Sequence, residues 1–169
     1  MTAQVALLRA VNDGGRGKLT MDDLRAICTG CGLANVRTYL QHGNVVFDSD
    51  KSERALQLDL QRAVTDKMGR IVGVLMRTGA EMRAIVNATP FPKGDPDLIG
   101  VVFLPRAVPE RLLIALELGG PEDVRMIGRE IYVHFPNGMG RSKMKIPFAS
   151  DGTIRTLDVI GELASMAGA

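Results

Sequence analysis

A glycine-rich loop near the N-terminus has residue types that could bind an anion. The loop, Asn12 to Lys18, joins a predicted strand to a helix start at Thr20, where backbone N–H groups and the helix dipole attract negative charge. It is not a Walker A loop, because Leu19 stands where that motif needs Ser or Thr, and it does not match GxGxxG. The loop therefore fits either a site for a small anionic or phosphorylated ligand or a plain connection.

The chain's two cysteines, Cys28 and Cys31, have the spacing of a redox or zinc motif. They fall at the C-terminal end of a predicted helix, where the dipole opposes a thiolate. Zinc would need two further ligands, and the two histidines, His42 and His134, lack a matching spacing. We predict that both cysteines pack in the core and that there is no metal site; the sequence leaves any cofactor unknown.

Polar residues recur at two other places. Arg37, Tyr39 and Gln41 alternate with less polar neighbours, so we expect them to share one face of a strand, as the lining of a cleft or as a solvated surface. Further along, Gly140 to Lys145 carries three cations, a pattern typical of a solvated helix face. This second run becomes a site only if it folds over the first loop.

Evidence for catalysis or nucleic-acid binding is weak. His42 and Tyr39 could transfer protons, but no Ser, Cys or carboxylate is spaced to form a triad with a histidine. A net charge of +2, 4% aromatic residues and no Trp leave no basic footprint and no base-stacking platform. We therefore rank nucleic acid below a small ligand as a partner, and an enzymatic activity stays open.

The order of predicted elements gives an α+β fold. Residues 1–78 read as β-α-β-β-α-β, the ferredoxin-like arrangement, with Gln4 to Val11 as a strand buried on both faces. A capped helix and a Pro-rich linker occupy 79–97, and a second half with the same order of predicted elements occupies 98–169. We expect two ferredoxin-like half-domains packed into one compact unit with a cleft.

Several local patterns set the expected boundaries. Gly43-Asn44 predicts the turn of the first hairpin, and Gly128-Arg129 that of the second. Gly119 is expected to stop a helix that begins after Pro109. A short helix is expected from Arg141 to Ile146, and a final helix from Leu157 to Met166.

The N-terminal residues lack the basic and small-residue pattern of a signal peptide, and no apolar run is long enough to span a membrane. Two cysteines in 169 residues do not make a disulfide framework. We therefore expect a cytoplasmic protein with no membrane partner.

Five segments resemble the bacterial family called domain of unknown function 1697. Its patterns are close to ALLRGINxGG, MxxLR, VRTYxQSGNVVF, PxGxGRSK and TxRNWxTVxKL. The segments that match them are Val5 to Gly15, Met21 to Arg25, Val36 to Phe47, Pro136 to Lys143 and Thr153 to Thr156 with the helix that follows. The resemblance implies a duplicated ferredoxin-like fold and implies no activity.

The polar residues that match this family suggest a binding site. Our first hypothesis is a cleft between the halves that binds a small anionic or phosphorylated ligand, with nucleic acid as a lower-ranked variant. The candidate ligand-binding residues are Arg9, Asn12, Gly14, Gly15, Lys18, Arg37, Tyr39, Gln41, Asn44, Arg141, Ser142 and Lys143. The alternatives are an enzyme acting on such a ligand and a protein-interaction or homodimer module that uses exposed sheet edges.

Overall fold

A computed structural model describes residues 1–9, 19–116, 120–142 and 144–169, and the chain divides into two units. The first unit comprises Met1–Arg83 together with Leu163–Ala169, and the second comprises Ala84–Glu162. The last seven residues of the chain therefore complete the unit that its first residues begin.

The first unit contains a four-stranded antiparallel sheet in the order β2-β3-β1-β4. Its elements, with the helix that leads out of it, are β1 (Thr2–Leu8), α1 (Met21–Gly30), β2 (Ala34–Tyr39), β3 (Asn44–Ser49), α2 (Glu53–Met68), β4 (Val74–Thr78) and α3 (Gly79–Asn87).

The second unit contains another four-stranded antiparallel sheet, in the order β6-β7-β5-β8. Its elements, with the last helix of the chain, are β5 (Ile99–Phe103), α4 (Glu110–Ile114), β6 (Asp123–Ile127), β7 (Glu130–His134), β8 (Thr153–Thr156) and α5 (Leu157–Met166). In the described part of the chain the fold is thus mixed α+β, with two antiparallel sheets and five α-helices.

The helix starts follow from the capping residues in the sequence. Thr20 accepts the Asp23 N–H at 3.0 Å ahead of α1, and Ser52 accepts the Ala55 N–H at 3.1 Å ahead of α2. At α3, Thr78 and Glu81 bond reciprocally, at 2.9 and 3.0 Å, as a capping box. These interactions satisfy N–H groups that the first turn leaves without helical partners, and they confirm the predicted starts.

The first strand is buried on both faces. Ala6 and Leu8 pack in a core beneath α1 and α2, whereas Val5 and Leu7 point to the opposite face and are also fully buried. This confirms the prediction of a doubly covered strand over Gln4–Leu8. Ala10 and Val11, which were assigned to the same strand, lie outside the described residues.

The end of the chain contacts the second face of the first sheet. A Cβ built on Gly79 would lie 2.6 Å from the Ala167 Cβ and 3.7 Å from the Ala3 Cβ. Ala3 alternates with Val5 and Leu7, so it lies on the face opposite α1 and α2. Glycine at position 79 therefore allows the last residues to approach this face closely.

In the second unit, the segment that follows Arg83 contacts the second face of the other sheet. The Tyr132 hydroxyl on β7 donates to the Ile85 carbonyl at 2.6 Å. Tyr132 is in register with Val101 on the neighbouring strand, and both residues are buried. A buried phenol with its hydrogen bond made thus joins this segment to the sheet.

Two local predictions were wrong. Among the described residues of the range 141–146 there is no α-helix; Met139–Arg141 is a single 3₁₀ turn, and Ser142 is extended. The Ser142 hydroxyl accepts the Met144 N–H at 3.1 Å, which is the local side-chain bonding that competes with helix formation. Asn44 is not in the hairpin turn either; it is the first residue of β3 and is fully buried. Gly119 lies outside the described residues.

None of the helices in the described ranges is long and apolar enough to cross a membrane.

Replacing Gly79 by Ala should destabilise the protein, because the new methyl group would overlap Ala167. We expect Gly79→Ala to lower the free energy of unfolding by about 1–3 kcal/mol. Gly161→Ala, inside α5 with no atom within 4 Å of the new Cβ, is the matched control and should raise it by about 0.5–1 kcal/mol. Urea denaturation of both variants tests this, and equal shifts in the two would contradict the close packing.

Tyr132 should make the protein less stable at high pH. Burial, together with the Glu130 carboxylate, raises the pKa of Tyr132 from 10.0 to about 12. The unfolded chain loses this proton at a lower pH than the folded chain, so the free energy of unfolding falls as the pH rises from about 10 to 12. Tyr132→Phe should therefore show a shallower fall, although at neutral pH it loses about 1–3 kcal/mol by leaving the Ile85 carbonyl unpaired. Urea denaturation across this pH range tests the slope; an unchanged slope would refute the assignment.

Candidate functional site

Polar residues of the first sheet lie on the face opposite α1 and α2. Arg37 on β2 is in register with Val46 on β3, and Tyr39 is in register with Asn44. Directly opposed residues project to the same face, so Arg37, Tyr39 and Asn44 share it, as predicted for the first two. Gln41 does not continue this row, because β2 ends at Tyr39 and Gln41 lies exposed in the turn.

Arg37 holds the end of the chain. Its Nη1 donates to the Met166 carbonyl at the end of α5, and its Nε donates to the Asn35 carbonyl at 3.0 Å. A cation at a helix C-terminus satisfies carbonyl groups that have no helical partner and complements the helix dipole. The guanidinium predicted to bind a ligand is thus engaged in tertiary structure.

Asn44 closes the first hairpin. Its side chain is fully buried, and its Nδ2 donates to the Tyr39 carbonyl at 3.1 Å. Burying an amide is tolerated when its hydrogen bonds are made, so Asn44 fixes the relative position of the two strands at this end. Asn44 is therefore a support for the hairpin, with the half-buried Tyr39 directly beside it.

Arg9 lies at the same end of the sheet. The N–H of Leu8 donates to the Gly43 carbonyl at 2.9 Å, and the N–H of Arg9 donates to the Gly73 carbonyl at 2.9 Å. Arg9 thereby extends the alternation of β1, and its side chain projects to the face of Leu7 and Asn44. The side chain is exposed, and within the described ranges no side chain or carbonyl pairs with its guanidinium.

The helix N-terminus next to the glycine-rich loop is already occupied by the chain's own groups. Thr20 caps α1, and the first turn carries Asp22 and Asp23. These carboxylates complement the helix dipole, and they form ion pairs with Arg25 and Lys67. Four of the predicted ligand-binding residues lie outside the described part of the chain: Asn12, Gly14, Gly15 and Lys18. Among the described residues predicted for this loop region, Arg9 is the one whose positive charge could bind an anion.

The second predicted cluster belongs to the second unit. The Ser142 hydroxyl donates to Glu122 Oε1 at 2.5 Å, and the neighbouring Arg141 is exposed. The Glu122 carboxylate and the Met144 N–H together hold Ser142, which makes it a structural hydroxyl. Lys143 lies outside the described residues.

The cysteines pack in the first core, as predicted. Cys28 is fully buried, and Cys31 packs against the same cluster. Burial, and to a lesser extent Cys31, raises the pKa of the Cys28 thiol to about 12; burial, with Asp59, also raises that of Cys31. Thiols that stay protonated at neutral pH are poor nucleophiles and poor metal ligands.

Two buried arginines were missed by the analysis of the sequence. Arg77 on β4 and Arg155 on β8 each stand in register with a buried valine of the neighbouring strand, Val5 and Val101. Each donates to the carbonyl of the residue before it, at 2.8 Å for Arg77 and 2.9 Å for Arg155. The signal was the dipeptide Arg-Thr directly before a helix, which occurs at both positions.

The comparisons with known proteins agree on the fold and leave the activity open. A family model described as "Protein of unknown function (DUF1697)" matches residues 1–132. A conserved bacterial protein, SP0830 from Streptococcus pneumoniae, is similar over 98% of both chains, with a TM-score of 0.80 and 22% sequence identity. No curated protein matches. The structural similarity supports a shared fold, and neither description assigns a ligand or a reaction.

If Arg37 anchors the end of the chain, Arg37→Gln should loosen Leu163–Ala169 without unfolding the sheet. Losing charged hydrogen bonds costs about 1.5–3 kcal/mol, so amide exchange in this segment should accelerate by about tenfold or more. Arg62→Gln, at an exposed position on α2, is the matched control and should leave exchange unchanged. Hydrogen exchange read by mass spectrometry tests this; equal exchange in both variants would show that Arg37 does not anchor the segment.

Proposed function

This chain belongs to the family described as protein of unknown function (DUF1697), and we propose that it is a binding protein for a small anionic ligand held at the hairpin end of its first unit. The observation that carries the proposal is Arg9, an exposed arginine with no described partner, fixed by its backbone beside Gly73. Arginine's planar fork of donors suits carboxylates and phosphates.

The hairpin next to Arg9 supports the same reading. Asn44 holds the hairpin closed, and Leu8 bonds directly to Gly43, so the hairpin and Arg9 are fixed relative to each other. Tyr39 projects to the same face and brings a hydroxyl group that can donate to an oxyanion. Hydrogen bonds from a rigid frame lose less entropy on binding than bonds from flexible side chains.

Fewer of the candidate residues are available to contact a ligand than the sequence suggested. Arg37 is engaged by Met166, and Asn44 is engaged by Tyr39. We therefore assign ligand contact to Arg9 and Tyr39, with Gln41 at the rim, and assign support to Arg37 and Asn44. One guanidinium and one hydroxyl suit a ligand of low charge, such as a carboxylate or a single phosphate group.

The duplication of a ferredoxin-like half-domain belongs to the same proposal. The two sheets have corresponding strand orders, β2-β3-β1-β4 and β6-β7-β5-β8. Arg77 and Arg155 occupy corresponding positions on the fourth strand of each sheet, and each is followed by a threonine and a helix. Corresponding residues in sheets of corresponding topology support an origin of both units from one ancestral half-domain. The proposal also places the protein in the cytoplasm.

The test is a thermal-shift screen against phosphate, pyrophosphate, citrate and the common nucleotides, followed by variants. A ligand at a hundred times its dissociation constant adds about 2.7 kcal/mol to the stability of the folded state. For the strongest hit, Arg9→Gln should weaken affinity by about tenfold to a hundredfold, and Tyr39→Phe by less. Arg62→Gln again serves as the matched control and should leave affinity unchanged.

The outcomes separate cleanly. A hit that Arg9→Gln weakens and Arg62→Gln does not would support binding at the hairpin end. A hit that both variants weaken equally would indicate general charge attraction and contradict the site. No hit across the panel would count against a small anionic ligand and favour a protein-interaction module.

A further inference from the structure

The second unit contains a cavity on the second face of its sheet. Its volume is about 540 Å³, within the range of small-molecule sites, roughly 300–1,000 Å³. It lies between the segment that follows α3 and the end of β7. The residues that bear on its chemistry are Phe91, Pro92, Lys93, Asp95, Leu98 and His134.

Two aromatic rings form part of its wall. The centroids of the Phe91 and His134 rings are 5.6 Å apart, at an interplanar angle of 38°. Pro92 and Leu98 add apolar surface beside them. Ring faces set at an angle, with aliphatic groups alongside, favour a flat ligand that can contact both.

Hydrogen bonds hold the cavity's shape. The Phe91 N–H donates to Thr89 Oγ1 at 3.2 Å, and the Gly94 N–H donates to the Phe91 carbonyl at 3.0 Å. At the far end, the Leu98 N–H donates to the Asp95 carbonyl at 2.9 Å, and the Leu98 carbonyl accepts from the Phe135 N–H at 2.8 Å. The segment is therefore tied to itself and to the sheet, and binding requires little reorganisation.

Three side chains supply polarity at the mouth. Lys93 and Asp95 are exposed, His134 is half-buried, and within the described ranges none of the three has an ion pair or side-chain hydrogen bond. Lys93 attracts one negative charge, and Asp95, two residues away, repels additional ones. This combination favours a ligand with a single acidic group over a polyanion.

We propose that this cavity is a second binding site, specific for a planar aromatic molecule that carries one negative charge, such as an aromatic carboxylate or sulfonate. The ring lies against Phe91 and His134, and the acidic group lies toward Lys93. The site shares no residue with the hairpin end of the first unit, so it can be tested independently of the function proposed there.

Two fluorescent dyes test the proposal directly. Anilinonaphthalene sulfonate is an aromatic monoanion with a flat naphthalene ring, and N-phenylnaphthylamine has the same rings without the charge. The wild-type protein should bind both dyes and the sulfonate more tightly. The chain has no tryptophan, so dye emission can be read without interference from that residue.

Variants then separate the charge from the rings. Lys93→Gln should weaken sulfonate binding by about threefold to fivefold and leave the neutral dye unchanged, whereas Asp95→Asn should strengthen sulfonate binding. Phe91→Leu should weaken both dyes by about threefold to tenfold. Lys145→Gln, at an exposed position of the same unit, is the matched control for charge, and Arg9→Gln should change neither dye.

Each result decides the proposal. Failure of the wild-type protein to bind the sulfonate dye would overturn it, as would equal weakening by Lys93→Gln and Lys145→Gln. Because Lys93 is exposed, we expect Lys93→Gln to fold. The ratio of its affinities for the sulfonate dye and the neutral dye therefore tests the proposal even if Phe91→Leu is unstable. Loss of the neutral dye in Lys93→Gln would likewise refute the assigned role of that charge.

Discussion

The structure depends on one constraint: the inner strands β1 and β5 carry buried apolar residues on both faces, so both faces of these strands must be covered. β1 and β5 are inner strands, and residues that point to opposite faces of each are buried, Val5 and Ala6 in β1 and Val101 and Val102 in β5. One layer of helices covers only one face of a sheet. Each unit therefore needs chain from elsewhere in the sequence, and in the first unit part of it comes from the last seven residues.

This constraint explains what the arginines of the first unit do. Arg37 holds the Met166 carbonyl, and Arg83 donates from Nε to the Ala169 carbonyl at 3.2 Å and from Nη2 to Ser165 Oγ at 3.1 Å. Positive charge that looks available for a ligand in the sequence is thus used to fasten the end of the chain. The arginines that can bind a ligand are those whose guanidinium groups are not used in tertiary structure.

Local features of the fold were predictable, because short-range physics determines them. The caps at Thr20 and Ser52 and the capping box at Thr78 are read from neighbouring residues. The role of Arg37 was not predictable in this way, since its partner Met166 lies far away in the sequence. The role of His134 was not predictable either, because its partner Phe91 belongs to a linker whose sequence gives no sign that it contacts the sheet. The helix expected at Arg141–Ile146 is absent from the described residues there for a local reason, because the Ser142 hydroxyl accepts the Met144 N–H.

The segment after β7 shows how the two units solve the same problem differently. The first unit covers one face of its sheet with α1 and the sixteen-residue helix α2. At the corresponding place the second unit has an irregular connection, from which Met144, Ile146 and Phe148 pack against the sheet core. An irregular segment can replace a helix only if its backbone groups are bonded in another way, and the Ser142 hydroxyl accepts the Met144 N–H while it donates to the Glu122 carboxylate. Ser142 is therefore best explained by the apolar residues that follow it, and the need to cover a sheet accounts for its bonds without any ligand.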